Sequence, residues 1–250
     1  MKHKKGRSSS GLFYVKRTIL KAPFCIALAQ DRVRIRKVKL VLIGILFSIA
    51  QVNGKEPTFH PIFNGKNLEG WEGVGGSTEN WKVRNGILSC TGEPGSSWLA
   101  TKEKYADFEL RLEFNIPKDG NSGIFIRAPK EGAPWVSGLE IQVLDDYGDK
   151  WKNLKPAQFT GAIYAVQAPS VRATKKAGQW QTIRIRCLGG KCNAWVNGKH
   201  VVNSDLVDLA KKSPGVAGLK RRDGFIGLQN HSSPVHFRKI EIKRIGSQRQ

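Results

Sequence analysis

Two polar residues at period-two spacing inside an apolar run are the first place to look for chemistry. In Leu139-Glu140-Ile141-Gln142-Val143-Leu144-Asp145, an extended strand turns Leu139, Ile141 and Val143 to one face, and Glu140 and Gln142 to the other. Arg127 stands opposite Ile124 and Ile126, Gln229 stands opposite Ile226 and Leu228, and His231 follows at a strand end. If these strands are neighbours, Arg127, Glu140, Gln142, Gln229 and His231 share one patch. Arg, Glu, Gln and His supply planar, short-reach donors and acceptors suited to sugar hydroxyls. A merely solvated sheet face is the competing reading, although such faces are usually rich in Lys, Glu and Thr. Trp135, Tyr147 and Trp151 sit in loops beside the Glu140 strand, where aromatic rings either stack on sugars or anchor loops.

Other chemistries lack their residues. There is no Gly-x-Ser-x-Gly, no His-Glu-x-x-His and no phosphate-binding glycine loop. Gly73-Val-Gly75-Gly76 opens no helix. No metal-ligand cluster is evident and no cofactor is predicted, although the chemistry considered below leaves room for an assisting divalent metal.

The elements that would carry these residues read as antiparallel β. Trp81–Arg84 and Ile87–Cys90 flank Asn85-Gly86, a hairpin-turn pair. Phe108, Leu110, Leu112, Phe114 and Ile116 alternate with polar residues. Further strands are predicted at Ile124–Ala128, Leu139–Asp145, Gly161–Tyr164, Trp180–Cys187, Asn193–Val196, His200–Val202, Phe225–Gln229 and Val235–Ile245. Only Val207–Lys212 suggests one or two helical turns. Such spacing favours an all-β fold, a sandwich of two antiparallel sheets forming one domain over residues 57–246.

Residues 1–54 differ in kind. They hold twelve Lys/Arg and one acid, half of the formal net charge of +22. The remaining +11 is spread thinly, with no basic run longer than Lys220-Arg221-Arg222, so no nucleic-acid partner is expected. The basic stretch Arg32–Lys39 precedes the apolar Leu40–Ala50, which is too short for the ~20 residues of a membrane span. This is the pattern of a signal peptide that engages the membrane transiently, with cleavage after Ala50 or Gly54 and a periplasmic or secreted product. Met1 is the only methionine, and the long basic region predicts a translation start near Val33 or Val38, leaving residues 1–32 outside the protein.

Cys90, Cys187 and Cys192 follow the leader. A two-residue turn at Gly189-Gly190 would set Cys187 opposite Cys192. Export makes a disulfide there feasible, and two free thiols in a sheet remain the alternative.

Nine stretches, in order, together resemble one family: Phe63–Trp71, Asp107–Phe114, Asn121-Ser-Gly-Ile-Phe-Ile-Arg127, Glu140–Asp145, Gly161-Ala-Ile-Tyr164, Gly178-Gln-Trp180, Val196-Asn-Gly198, Gly227-Leu-Gln-Asn-His231 and Phe237–Ile240. They are similar to the 3-keto-disaccharide hydrolase family, also described as 3-keto-glucoside lyase/hydratase domains, over residues 59 to 245. The resemblance implies a concanavalin-like jelly roll, an extracytoplasmic bacterial setting and sugars oxidised at C3. Asn230 and Lys239 stand where the family often has Asp and Asn. A ketone at C3 acidifies the C2 hydrogen, so such a substrate needs a base and an enolate stabiliser; Glu140 or His231 is expected as the base, with Arg127 and Gln142 or Gln229 on the keto oxygen. Asp145, Asn121, Tyr164 and Trp135 complete the substrate contacts.

Glu140-x-Gln142-x-x-Asp145 is also similar to the Glu-x-Asp-x-x-Glu strand of laminarinase-type hydrolases. Those enzymes need two carboxylates across the glycosidic bond. The central Gln and the shorter Asp argue against that mechanism. A non-catalytic, lectin-like carbohydrate-binding module is the alternative to an enzyme, and a basic surface protein that attaches to acidic polysaccharide is a third reading.

Overall fold

The computed structural model describes residues 58–95 and 97–246. The basic leader, its apolar run and the cleavage and start positions proposed above lie outside these residues.

In chain order the strands are β1 (His60–Pro61), β2 (Trp71–Val74), β3 (Trp81–Arg84), β4 (Ile87–Cys90), β5 (Trp98–Tyr105), β6 (Phe108–Asn115), β7 (Asn121–Ala128), β8 (Leu139–Leu144), β9 (Gln181–Leu188), β10 (Lys191–Val196), β11 (Lys199–Asp205), β12 (Gly224–Gln229) and β13 (Val235–Arg244). Two short helices, α1 (Pro134–Ser137) and α2 (Leu206–Lys212), lie in connections. One antiparallel sheet has the order β11-β10-β9-β6-β13-β4-β3, with β1 added on β13, and the other has the order β2-β5-β12-β7-β8. The fold is an all-β jelly-roll sandwich of two antiparallel sheets.

Alternation builds the core. Phe108, Leu110, Leu112 and Phe114 of β6 and Ile183, Ile185 and Cys187 of β9 turn inward. They meet Ile124 and Ile126 of β7, Leu139, Ile141 and Val143 of β8, and Ile226 and Leu228 of β12. Each such side chain contributes about 1.5–3 kcal/mol on burial. Asn85 and Gly86 both take positive φ, 53° and 75°, as the tight hairpin between β3 and β4 requires. Cys187 and Cys192 are register partners with Sγ atoms 3.8 Å apart, and both are free thiols, like Cys90.

The predicted strand Gly161–Tyr164 is a correction. It forms only isolated bridges, Ile163 with Ile141 and Ile163 with Gln167, while Gly161 N–H and Tyr164 N–H donate to the carbonyls of Gln142 and Glu140. The segment thus covers the open edge of β8 without becoming a strand of its own. Sequence analysis also missed β5, whose Lys102–Lys104 end is exposed and breaks the alternation.

Candidate functional site

The face of β7, β8 and β12 turned away from the core carries the site. Register sets it out in two rungs. One runs Ala100, Gly227, Phe125, Glu140, and the next joins Trp98 to Gln229 and Gly123 to Gln142. Neighbouring strands lie about 4.8 Å apart, so Glu140, Gln142 and Gln229 converge on the space above Gly123.

Two glycines make that space. A Cβ at Gly123 would come within 2.2 Å of Glu140 Oε1, and one at Gly227 would come within 2.2 Å of the Trp98 ring. The missing side chains let Glu140 lie over β7 and Trp98 over β12. Trp98 then meets Phe125 edge to face at 5.4 Å, and with Ala100 and Ala128 forms a small apolar cluster outside the main core. Beside it lies a cavity of about 210 Å³ lined by Asn121, Trp135, Glu140, Gln142, Tyr164, Gln229 and His231.

Glu140 is 4 % exposed and its carboxyl has no hydrogen-bond partner among the described residues. Burial alone raises its pKa from 4.5 to about 8, because desolvation penalises the anion. Gln142 is fixed by its own neighbour: Val143 N–H donates to Gln142 Oε1 at 2.9 Å, which leaves the amide N–H groups as donors. Gln229 Oε1 and Asn121 Oδ1 are buried acceptors with no partner among the described residues. Orphaned buried acceptors of this kind are costly unless a ligand satisfies them. Tyr164 is brought beside Glu140 by the edge-covering segment, and Gln158 Nε2 donates to its hydroxyl at 3.1 Å. Trp135, on α1, and His231, just beyond β12, are exposed at the rim. The burial of Glu140, Gln142 and Gln229 is unlike a solvated face.

Arg127 and Asp145 are corrections. A bulge between β12 and β7 gives Arg127 a φ of 50° and breaks the alternation, so that Ile126 faces the core and Ala128 the outer cluster. The Arg127 guanidinium is fully buried away from the cavity. It donates to the carbonyls of Ala106, Gly189 and Arg221 and pairs with Asp107 at 3.1 Å. Asp145 is likewise outside the cavity: its carboxylate accepts from the backbone N–H groups of Asp119 at 2.9 Å and Tyr147 at 3.3 Å, tying two loops together. Tyr147 donates through its hydroxyl to the carbonyl of Thr174, an anchoring role.

Sequence reasoning overlooked Asp146, a buried carboxylate that accepts from Thr160 N–H, Thr160 Oγ1 and Thr174 Oγ1. Burial raises its pKa, and these hydrogen bonds oppose the rise. It fastens the loops behind the edge-covering segment. The overlooked floor glycines did carry a signal, since glycine inside a strand often marks a close approach.

Among the described residues no three His, Cys, Asp or Glu side chains form a metal-binding group. The groups in the cavity that could hold a cation are the Glu140 carboxylate, the amide oxygens of Asn121 and Gln229, and the His231 ring.

Comparison with known proteins agrees with this architecture. A curated 3-keto-disaccharide hydrolase of Bacteroides thetaiotaomicron is 27 % identical over 222 residues, covering 73 % of this chain and 77 % of the relative. Two solved glycosyl hydrolase candidates from Parabacteroides distasonis superpose with TM-scores of 0.67 and 0.65 at 26 % and 30 % identity. Each covers 75 % of this chain, and the matches span 94 % and 100 % of those structures. The 3-keto-alpha-glucoside-1,2-lyase-like domain matches residues 58–243, and the chain belongs to that family.

Proposed function

We propose that the protein is an exported enzyme that cleaves or hydrates 3-keto-glycosides by removing the proton at C2, beside the ketone. The observation that carries this reading is the buried, unpartnered carboxyl of Glu140, poised near pH 8 over Gly123 between two glutamines. Membership of the family, and the relative named for 3-keto-disaccharides, support the substrate class. Export rests on the leader sequence alone.

A ketone at C3 acidifies the C2 hydrogen, so one strong, desolvated carboxylate can serve where direct glycoside hydrolysis needs two. Glu140 takes the C2 proton, and the C–H electron pair forms an enolate whose charge gathers on the C3 oxygen. The Gln142 amide N–H groups donate to that oxygen where the charge develops. As the enolate collapses, the C1–O bond breaks with its pair on the leaving oxygen, which His231 protonates at the rim. Water then adds to C1 of the resulting enone, giving up a proton to the His231 ring and so restoring it, while Glu140 returns its proton to C2. Gln229 Oε1 and Asn121 Oδ1 accept hydroxyl protons of the sugar, and Trp135 and Tyr164 border its ring. No step needs Arg127 or Asp145.

Incubation with 3-keto-trehalose and with unoxidised trehalose tests the reading. Turnover of the former alone, abolished in Glu140→Gln, supports it. Binding of either sugar without turnover would make the protein a lectin and overturn it.

A further inference from the structure

The sheet on the far side of the sandwich carries a second, larger depression of about 490 Å³ on its outer face, bordered by Arg111, Glu113, Arg184, Trp195, Lys239 and Glu241. We propose that this face is a second carbohydrate-binding surface, specific for anionic polysaccharide bearing sulfate or carboxylate groups, and separate from the cavity of Glu140.

The register places His200, Trp195, Arg184, Arg111 and Glu241 on one rung across five strands. The Arg184 guanidinium lies 3.9 Å from the Trp195 ring centre, His200 stacks on that ring at 4.6 Å, and Arg111 lies 4.0 Å from the Phe59 ring centre. These contacts hold the guanidinium groups flat; Arg111 Nε faces Glu241 at 2.7 Å and Arg184 Nε faces Glu109 at 3.4 Å, which leaves the terminal N–H groups to meet an anion. The Arg111 and Arg184 side chains are 50 % and 45 % exposed. Arginine held this way suits bidentate recognition of sulfate or carboxylate. Adjacent rungs add Arg186 with Lys243 and Arg238 with Lys239, so cations outnumber acids around the depression.

The arrangement favours polysaccharide over nucleic acid. Every rung also holds a carboxylate: Glu241, Glu109 or Glu113, each ion-paired to a neighbouring Arg or Lys. A phosphate backbone with one charge per nucleotide would set phosphates against these glutamates. Acidic sugars separated by neutral hydroxyl-bearing units would instead give the arginines anions and the glutamates hydroxyl donors. Base stacking needs a free ring face, and Trp195 is bordered by both Arg184 and His200.

The test is affinity electrophoresis of the full chain through gels containing dextran sulfate or neutral dextran, with a duplex DNA titration alongside. Dextran sulfate should retard the protein and neutral dextran should not. R184E/R186E should weaken dextran sulfate binding about tenfold, as expected for the loss of two to three exposed charge contacts. K211E/K212E on α2 changes net charge equally and should leave binding within about twofold; circular dichroism confirms that both variants are folded. A second variant, W195L, should also weaken retardation by loosening Arg184. Equal weakening by the two double variants, no retardation of the wild type, or DNA binding as tight as dextran sulfate binding would each overturn the proposal.

Discussion

Glu140 pairs in register with Phe125 but its carboxyl reaches diagonally over Gly123, the partner of Gln142, with Oε1 2.2 Å from where a Cβ would stand. The glycine is therefore a specification of where the carboxyl sits. In Gly123→Ala the new Cβ would also meet Glu140 Cδ at 2.7 Å and Cγ at 2.8 Å, so the whole buried side chain, and not its carboxyl end alone, must move. A displacement of about 1 Å at a reacting group can cost on the order of a hundredfold in rate. The expected result is a folded protein less stable by about 1–3 kcal/mol, read by urea unfolding, with about a hundredfold lower kcat on a 3-keto-disaccharide, measured by steady-state kinetics.

The pH dependence follows from the same carboxyl. With Glu140 titrating at about 8 and the anion acting as base, kcat/KM should rise tenfold per pH unit below 8 and level off above it. Glu140→Gln should abolish this limb together with about two to four orders of magnitude of rate. A flat profile between pH 6 and 9 would remove Glu140 from the role of base.

Stability should run the opposite way. The folded pKa of Glu140 lies above its unfolded value of 4.5, so the folded state binds the extra proton. Its contribution to stability is intact below pH 4.5 and is lost as pH rises through 8, a penalty of about 3 kcal/mol near neutrality. Glu140→Gln is neutral at every pH. Its melting temperature should match the wild type at pH 4.5 and exceed it by several degrees at pH 9, as read by calorimetry.

Arg127 should behave as a structural residue. Its guanidinium satisfies the carbonyls of Ala106, Gly189 and Arg221 at one end of the sandwich. Arg127→Met takes the guanidinium donors from the Ala106 and Gly189 carbonyls and the ion pair from Asp107, which keeps only Gly189 N–H among the described residues, so unfolding in urea should show a loss of about 3 kcal/mol. KM and kcat of the folded fraction should remain near wild type. A selective loss of kcat with stability intact would return Arg127 to the catalytic set.

Arg127 also shows where sequence reading stops. Period-two alternation identified the strands and placed Glu140, Gln142 and Gln229 on one face, because buried aliphatic residues must alternate in a half-buried sheet. It could not foresee the bulge, which depends on how β12 and β7 slip past one another. Asp145 failed for a related reason: it falls one residue beyond β8, where backbone N–H groups of two loops capture it. That Glu140 is buried needed the edge-covering segment at Gly161–Tyr164, a tertiary contact with no period. The floor at Gly123 and Gly227 was written in the sequence, but a strand glycine has meaning only once its neighbour across the sheet is known.

The unpartnered acceptor of Gln229 gives the last prediction. Its Oε1 is buried without a donor among the described residues, and a buried acceptor left so costs about 1–3 kcal/mol. Gln229→Met keeps length and volume and removes that group. The variant should be more stable than wild type, with a melting temperature higher by about 2–4 °C per kcal/mol gained. If the acceptor serves a sugar hydroxyl in both the bound and the reacting state, its loss raises KM and leaves kcat nearly unchanged. A rise in stability with unchanged KM would show that the orphan is a packing defect; a rise in both assigns it to substrate binding. The two measurements together separate a site that is strained because it awaits a ligand from one that is merely imperfect.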